Sequence, residues 1–505
     1  MPYTHEKRWK ALGVLCLAMS IVTLDNTVLD VALPSISNDL LASMRELQWI
    51  VNIYILVFAS ILITIGALGD QWGRKRFLKI GIALFSLASL GAGLSSSTGE
   101  LIFFRALSGL GAAFIMPSTL FIITHMFTNT DERMKAIGLW SMIFGLSQGL
   151  GPLVGGIIIE YASWHWVFFI NLPIGVTAWY AATRILPESS NPNTKADILG
   201  MVLCIFFLFA LTYGIIEAGE RGWSDKSVYI SLSFGVLFCA LFIVWERRCT
   251  HAMIPFELFE KRTFTIPSFA IALIVFGMVG SMFFFSQLFQ TVQGYNALEA
   301  GLLLMPMTLG VAIGSKSAPR AVTTYGMPLS IGGGMIISGL GMAIFVVTID
   351  VHMPLWAILI GFFVHGLGMG LSMPPSTDSI MGSIPPQKAG VGSALNDTTI
   401  ELSAAMSIAV LGSYVNRIYL LHVKEIEVDA SLSKALQTSI QTAHQAISAL
   451  PDLALRESLF FRVDHAFIEG IFHTMIVGCL FSILSGLLAI YLLPKKASSR
   501  RGKTV

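Results

Sequence analysis

Fourteen stretches of this chain are apolar over the length needed to cross a bilayer as an α-helix, and that pattern limits the fold more than any other feature. They lie approximately at 11–32, 47–68, 77–95, 100–123, 136–159, 166–185, 197–218, 227–246, 264–289, 298–315, 327–348, 355–374, 390–414 and 469–493. Each is far longer than the roughly ten residues of a barrel strand, and unpaired backbone groups are too costly in hydrocarbon for anything but helices. Charge supports the same conclusion. Only 12% of the 505 residues are Asp, Glu, Lys or Arg and 54% are hydrophobic, half the charge a water-soluble surface of this size requires. The expected fold class is an all-α integral membrane protein with 14 transmembrane helices. Lys7, Arg8 and Lys10 precede the first run as in a signal peptide, but no small-residue cleavage site follows, so this run is read as an uncleaved span.

Net charge is only +2, which offers no reason to expect nucleic acid as a partner, but the placement of charge is informative. With an even number of spans and a cytoplasmic N-terminus, 23 of the 32 basic residues fall in cytoplasmic segments or their flanks, 8 fall on the opposite side, and Arg105 lies inside the fourth span. That asymmetry predicts both termini in the cytoplasm of a multi-pass protein of the plasma or inner membrane. Cys16, Cys204, Cys239 and Cys479 lie in apolar runs and Cys249 in a short basic loop, without metal-ligand or disulfide spacing. No metal and no cofactor are expected. The absence of a nucleophile motif, a metal-ligand cluster or a Walker A string argues against a membrane enzyme and leaves an ion gradient as the energy source.

The chain repeats itself. Gly109-Leu110-Gly111 followed by Met116-Pro117-Ser118-Thr119 in the fourth span returns, 257 residues on, as Gly366-Leu367-Gly368 followed by Met373-Pro374-Pro375-Ser376-Thr377 in the twelfth. Lys135-Ala136-Ile137-Gly138 opens the fifth span as Lys388-Ala389-Gly390-Val391-Gly392 opens the thirteenth. The repeat is thus offset by eight spans, which predicts two six-helix bundles with two inserted helices, the seventh and eighth. The expected domains are 1–185, an inserted pair with its loops at 186–263, and 264–505 with an outer-side loop at 415–468. Parallel repeats of this kind are a transporter architecture.

Ionisable groups at membrane depth are costly and need a reason. Asp25 and Asp30 lie in the first span, Asp397 and Glu401 share a face of the thirteenth, and neither span contains a Lys or Arg to neutralise them. Burial favours the neutral form of a carboxyl group, so such acids can exchange protons, and they also offer negative charge to a cationic substrate. A solvated position near a helix end remains the alternative for Asp25 and Asp30, and a hydrogen-bonded packing pair for Asp397 and Glu401. His365 in the twelfth span reads better as a hydrogen-bonded core histidine than as a relay. Glu299 and Asp378, near helix ends, read as caps or solvated acids. Phe283, Phe284 and Phe285, with Met278 and Met282, read as a lipid-facing or packing stripe rather than a drug cavity. Leu432, Leu436 and Ile440, at helical spacing, predict an external helical hairpin within 415–468.

Five strings resemble signatures of the major facilitator superfamily. Gly66-Ala67-Leu68-Gly69-Asp70-Gln71-Trp72-Gly73-Arg74-Lys75-Arg76 resembles the superfamily's cytoplasmic loop motif, and Leu101 to Ala112, with Arg105, resembles its fourth-helix motif. Gly145, Gly149, Gly151, Pro152, Gly155 and Gly156 resemble the antiporter signature of exporters. Leu24-Asp25-x-Thr27 through Ala32-Leu33-Pro34 resembles the first helix of the 14-helix drug:proton antiporters of the EmrB and QacA type, and Asn396 to Leu402 resembles their thirteenth. At position 30 the family usually has Asn, where this chain has Asp.

The resemblance implies a proton-coupled exporter, not an enzyme, moving amphipathic and often cationic drug-like compounds by alternating access. Its partners would be lipophilic or cationic small molecules, protons and the lipid bilayer, with a periplasmic adaptor protein left open. It assigns Gly66, Asp70, Gly73 and Arg74 to a cytoplasmic gate, Arg105 to proton coupling or pathway electrostatics, and the Gly/Pro face of the fifth helix to closing the halves. A proton- or sodium-coupled exporter of one endogenous metabolite, lipid or siderophore would use the same machinery and is the alternative.

Overall fold

A computed structural model describes residues 5–127, 130–186, 188, 197–249, 256–383 and 389–494. Among them the chain is helical from end to end. The first compact unit contains α1 (His5–Leu40), α2 (Met44–Trp72), α3 (Arg74–Gly93), α4 (Thr98–Met126), α5 (Thr130–Tyr161), α6 (Trp166–Phe169), α7 (Asn171–Ile185), α8 (Ile198–Arg221) and α9 (Lys226–Glu246), together with residues 295–302. The second comprises α10 (Arg262–Gln287), α12 (Met327–Thr348), α13 (Leu355–Gly382), α14 (Ala389–Val423), α15 (Ala430–Thr438), α16 (Ile440–Ser448), α17 (Leu453–Leu492) and α11 (Ala297–Tyr325) from residue 303.

Every apolar run falls on a helix, the sixth on α6 and α7 together and the ninth on α10 with the π turn Leu288–Val292 that extends it. Among the described residues thirteen helices are long and apolar enough to cross a membrane, and the remaining run lies on α5, whose described apolar part is Gly149–Tyr161. Tight caps explain several starts: Ser43 and Glu46 form a reciprocal capping box on α2, and Asp197, Asp225, Asp429 and Asp452 cap α8, α9, α15 and α17 through their side chains.

The repeat read from the glycines is also a repeat of packing. A methyl group on Gly109 of α4 would collide with the Tyr54 carbonyl of α2, and one on Gly366 of α13 with the Met307 carbonyl of α11. Gly111 and Gly368 likewise press on backbone nitrogens, of Phe85 in α3 and Ser338 in α12. Small residues at these points let backbones approach closely, which is what holds helices together where no hydrophobic driving force separates protein from lipid. Among the inserted helices, α8 packs on α2. Trp49 lies 5.3 Å from Phe209, ring centre to ring centre, and the buried Glu217 carboxylate is held at 2.8 Å by both Arg45 and Arg221.

One expectation needs correction. The helical hairpin read within 415–468 is only α15 and α16, since α14 runs on to Val423 and α17 already starts at Leu453. It is seated by Tyr419 Oη donating to the Leu436 carbonyl (2.8 Å) and Gln441 Nε2 donating to Gln287 Oε1 (3.1 Å). Of the two readings of the Phe283–Phe285 stripe, lipid-facing or packing, the structure has packing. All three rings are at most 1% exposed, and Phe285 packs within 4.7 Å of Phe345 and 4.9 Å of Phe362.

Candidate functional site

Asp25 lies within the apolar part of α1 and is buried, 3% exposed. Its expected lack of a cationic partner is wrong: the cation comes from another helix. Arg105 of α4, 1% exposed, donates from Nη1 to Asp25 Oδ2 at 2.5 Å. The guanidinium is fixed twice more, by Nε donating to the Ile50 carbonyl (3.2 Å) and by the Tyr54 ring, whose centre lies 4.4 Å from Cζ. A cation over an aromatic face in a dry site gains more than one in water.

The second oxygen of Asp25 has its own donor. Asn171 Nδ2 donates to Asp25 Oδ1 at 2.7 Å and to Ser89 Oγ at 3.2 Å, so helices α1, α4 and α7 meet at one carboxylate and α3 joins through Asn171. Asn171 escapes a motif reading because it lies where the sixth span breaks: α6 stops at Phe169 and α7 begins at Asn171. Pro173 falls in the first turn of α7, where a missing N–H costs nothing. The signal that could have found it is an uncharged polar residue at membrane depth in Ile170-Asn171-Leu172-Pro173. A buried ion pair persists only when its remaining hydrogen-bonding capacity is satisfied, and Asn171 together with the Ile50 carbonyl supplies that here.

Asp30, five residues further along α1, is half-buried and lies well inside the helix rather than at its end. Among the described residues it makes no hydrogen bond to that network. The glycines of α5 pack against this same stretch of α1. A methyl on Gly155 would lie 2.9 Å from the Val28 carbonyl, and one on Gly151 would collide with Thr27. On the other side of α5, a methyl on Gly156 would come within 2.7 Å of the Ala297 carbonyl, and Gly301 is crowded by Pro152. Gly149 is buried. The antiporter string therefore lets α5 lie against the helix that carries Asp25.

In the second unit Asp397 and Glu401 are half-buried, one turn apart on α14. Asn396 Nδ2 donates to Asp397 Oδ1 at 3.2 Å, and among the described residues no cation pairs with either acid. His365 is 2% exposed, with Nδ1 at 2.9 Å from Ser338 Oγ and 3.2 Å from the Ser338 carbonyl, as a core histidine should be. Glu299 is a cap, exchanging bonds with Asn296 at the start of α11.

At the turn between α2 and α3, Gly73 has φ +108°, a region that favours glycine. Arg74 is buried, with Cζ 4.4 Å from the Phe121 ring centre on α4, and a methyl on Gly69 would lie 3.2 Å from its Nη1. Gly66, Asp70 and Gly145 take their places on α2 and α5, but their surroundings lie outside the described residues. Arg8 of α1 and Glu132 of α5 form an ion pair at 2.8 Å that no motif announces.

Residues 15–408 match the sequence model of the Major Facilitator Superfamily. The chain is 32% identical over 482 residues to the multidrug efflux pump LfrA of Mycolicibacterium smegmatis, covering 94% of both chains. It is 31% identical over 464 residues to the methyl viologen resistance protein SmvA of Salmonella typhimurium, covering 92% of this chain and 93% of that one. In fold it is similar to a bacterial homologue of the human lysosomal transporter Spinster in an inward-facing, occupied conformation, with a TM-score of 0.67 at 17% identity, covering 97% of each chain.

Proposed function

The chain belongs to the Major Facilitator Superfamily of membrane transporters, and from that premise we propose that it exports amphipathic, often cationic drug-like compounds in exchange for protons. The observation that carries the coupling half of this reading is the buried Asp25–Arg105–Asn171 network. Protonating Asp25 cancels the charge that Arg105 faces and weakens a contact joining α1 to α4; losing the proton restores it. A single proton thereby biases the packing of two helices, which is the kind of two-state element that alternating access requires. The unpaired acids Asp397 and Glu401 are the negative charge available to a cationic substrate. The end-to-end similarity to pumps named for multidrug efflux and methyl viologen resistance supports the substrate class.

The distribution of basic residues, 23 against 8, supports an orientation with both termini and the α2–α3 turn on the cytoplasmic side of the cell membrane. There Gly66, Asp70, Gly73 and Arg74 form the cytoplasmic gate. The protein acts as a carrier and leaves its cargo chemically unchanged.

Purified protein in proteoliposomes, under an imposed pH gradient and then an imposed Na⁺ gradient, tests the proposal across cationic dyes and neutral lipophiles. Cationic dye should move against the proton flux and ignore Na⁺. Transport that follows Na⁺ and ignores pH would replace the coupling ion; transport of none of the dyes would replace the substrate class.

A further inference from the structure

Helix α3 starts without a cap of its own. Gly73 precedes it, and no side chain at that position accepts an amide hydrogen of the first turn. The acceptor comes from a distant segment instead. Lys75 N–H donates to Glu188 Oε1 at 3.1 Å, and Glu188 lies three residues beyond the end of α7. The same carboxylate occupies the place where a side chain at position 73 would begin: a methyl there would lie 2.6 Å from Oε1 and 2.8 Å from Cδ. The Lys75 ammonium reaches in the other direction. Its Nζ donates to the Thr183 carbonyl at 2.9 Å and the Leu186 carbonyl at 2.7 Å, at the C-terminal end of α7.

Two helix ends therefore complete each other. A carboxylate from beyond α7 sits on the amide-rich start of α3, and an ammonium from α3 sits on the carbonyl-rich end of α7, each charge matching the end it meets. An exposed ion pair between two side chains would be worth little, but here each charged group bonds to backbone atoms that a helix leaves unpaired at its ends. The residue that follows Gly73 is Arg74, whose guanidinium is buried against Phe121, so the shape of this turn decides where that guanidinium points.

We propose that Glu188 and Lys75 form a reciprocal clasp between α7 and α3 that positions the turn carrying Gly73 and Arg74, so that a shift of the α7 end is transmitted to that turn. Glu188 is a positioning residue in this scheme: it touches neither cargo nor Asp25. The proposal rests on the reading of that turn as the cytoplasmic gate. It also gives Asn171 a distant counterpart, because α7 holds Asp25 at its first residue and Lys75 at its last turn.

The test combines amide hydrogen exchange with transport kinetics on purified full-length protein. In Glu188→Ala the Lys75 amide should exchange about fivefold faster, the order expected for loss of one helix cap. Maximal transport rate of a cationic dye should fall by a similar factor while KM stays within about twofold, because positioning changes populations and not contacts with cargo. Glu188→Gln, which keeps an acceptor oxygen, should recover part of both. Lys75→Met should resemble Glu188→Ala, and the double variant should be no worse than either alone, as coupled partners require. In the Glu188→Ala background Gly73→Ala should cost less than in the parent, since part of its clash is gone.

Unchanged Lys75 exchange in Glu188→Ala, or fully additive effects of Glu188→Ala and Lys75→Met, would overturn the clasp. If exchange rises and Glu188→Ala transports normally while Asp70→Asn is slow, the gate stands and the clasp's role in it does not. If both variants transport normally, the gate reading itself fails and the transmitted role fails with it.

Discussion

Helices α4 and α13 occupy equivalent places in the two halves of the repeat, and they pack almost identically yet carry opposite chemistry. Gly109 and Gly366 each press on a neighbouring carbonyl, and Gly111 and Gly368 each press on a backbone nitrogen. Four residues before the first glycine, α4 has Arg105 and α13 has Phe362. Arg105 meets Asp25, the Ile50 carbonyl and the Tyr54 ring. Phe362 packs against rings, with Phe285 and Phe345 at 4.9 Å and Phe289 at 6.2 Å. What the repeat preserves is close backbone approach; what fills the adjacent space is free to differ. At this position one half became a buried hydrogen-bonded charge network and the other an aromatic core, and of these two clusters only the first contains ionisable side chains.

The strongest way to break this comparison is to remove the charge from the polar half. Arg105→Met leaves Asp25 facing Asn171 alone, and stranding one member of a buried pair costs roughly 3–5 kcal/mol. Gradient-driven export should vanish and the purified protein should unfold at a lower temperature. Asp25→Asn keeps an oxygen for Arg105 but cannot titrate, so it should abolish export at near-normal abundance, and adding it to Arg105→Met should restore part of the lost thermal stability. Proton-driven export by Asp25→Asn, measured in proteoliposomes, would dissociate the network from coupling.

The aromatic half should behave in the opposite way. Phe362→Ala opens a void among Phe285, Phe289 and Phe345 and should cost about 3–5 kcal/mol in thermal unfolding, whereas Phe362→Leu should cost much less. Any protein that remains folded should keep its pH dependence of transport, because no titrating group has been touched. A changed pH profile in Phe362→Leu would mean that the two halves are not chemically separate.

Much of this architecture could be read from single residues. The spans announce themselves through length and apolarity, and the repeat through glycines whose spacing reflects where backbones touch. The polar network could be read only in part. Asp25 and Arg105 each stand out at membrane depth, but 80 residues separate them and no local pattern says that they meet. Asn171 hides at a helix break, and Glu188 hides just past a helix end, where a lone acid reads as solvated. The hairpin's true limits escaped because α14 and α17 extend as polar helices beyond their apolar runs, and mean apolarity says nothing about where a helix stops in water.

The smallest predicted effect sharpens the comparison from within the second half, where α14 holds carboxyl groups that the aromatic core of α13 lacks. Asp397 and Glu401 lie one turn apart, half-buried, and among the described residues no cation balances them. A cationic substrate and a proton would then compete for the same negative charge, so binding of a monovalent cationic dye should weaken as pH falls from about 8 to about 5. Removing one carboxyl leaves its neighbour to attract the cation, so Glu401→Gln should reduce affinity only a few-fold at high pH, and less for neutral lipophiles. The more telling change is in slope: with one titrating group gone, the pH dependence of dye binding should flatten. Dye titrations of the purified variant across that range decide it. An unchanged profile in both Glu401→Gln and Asp397→Asn would make the pair part of the packing of α14, and would leave Asp25 and Arg105 as the proposed site of coupling.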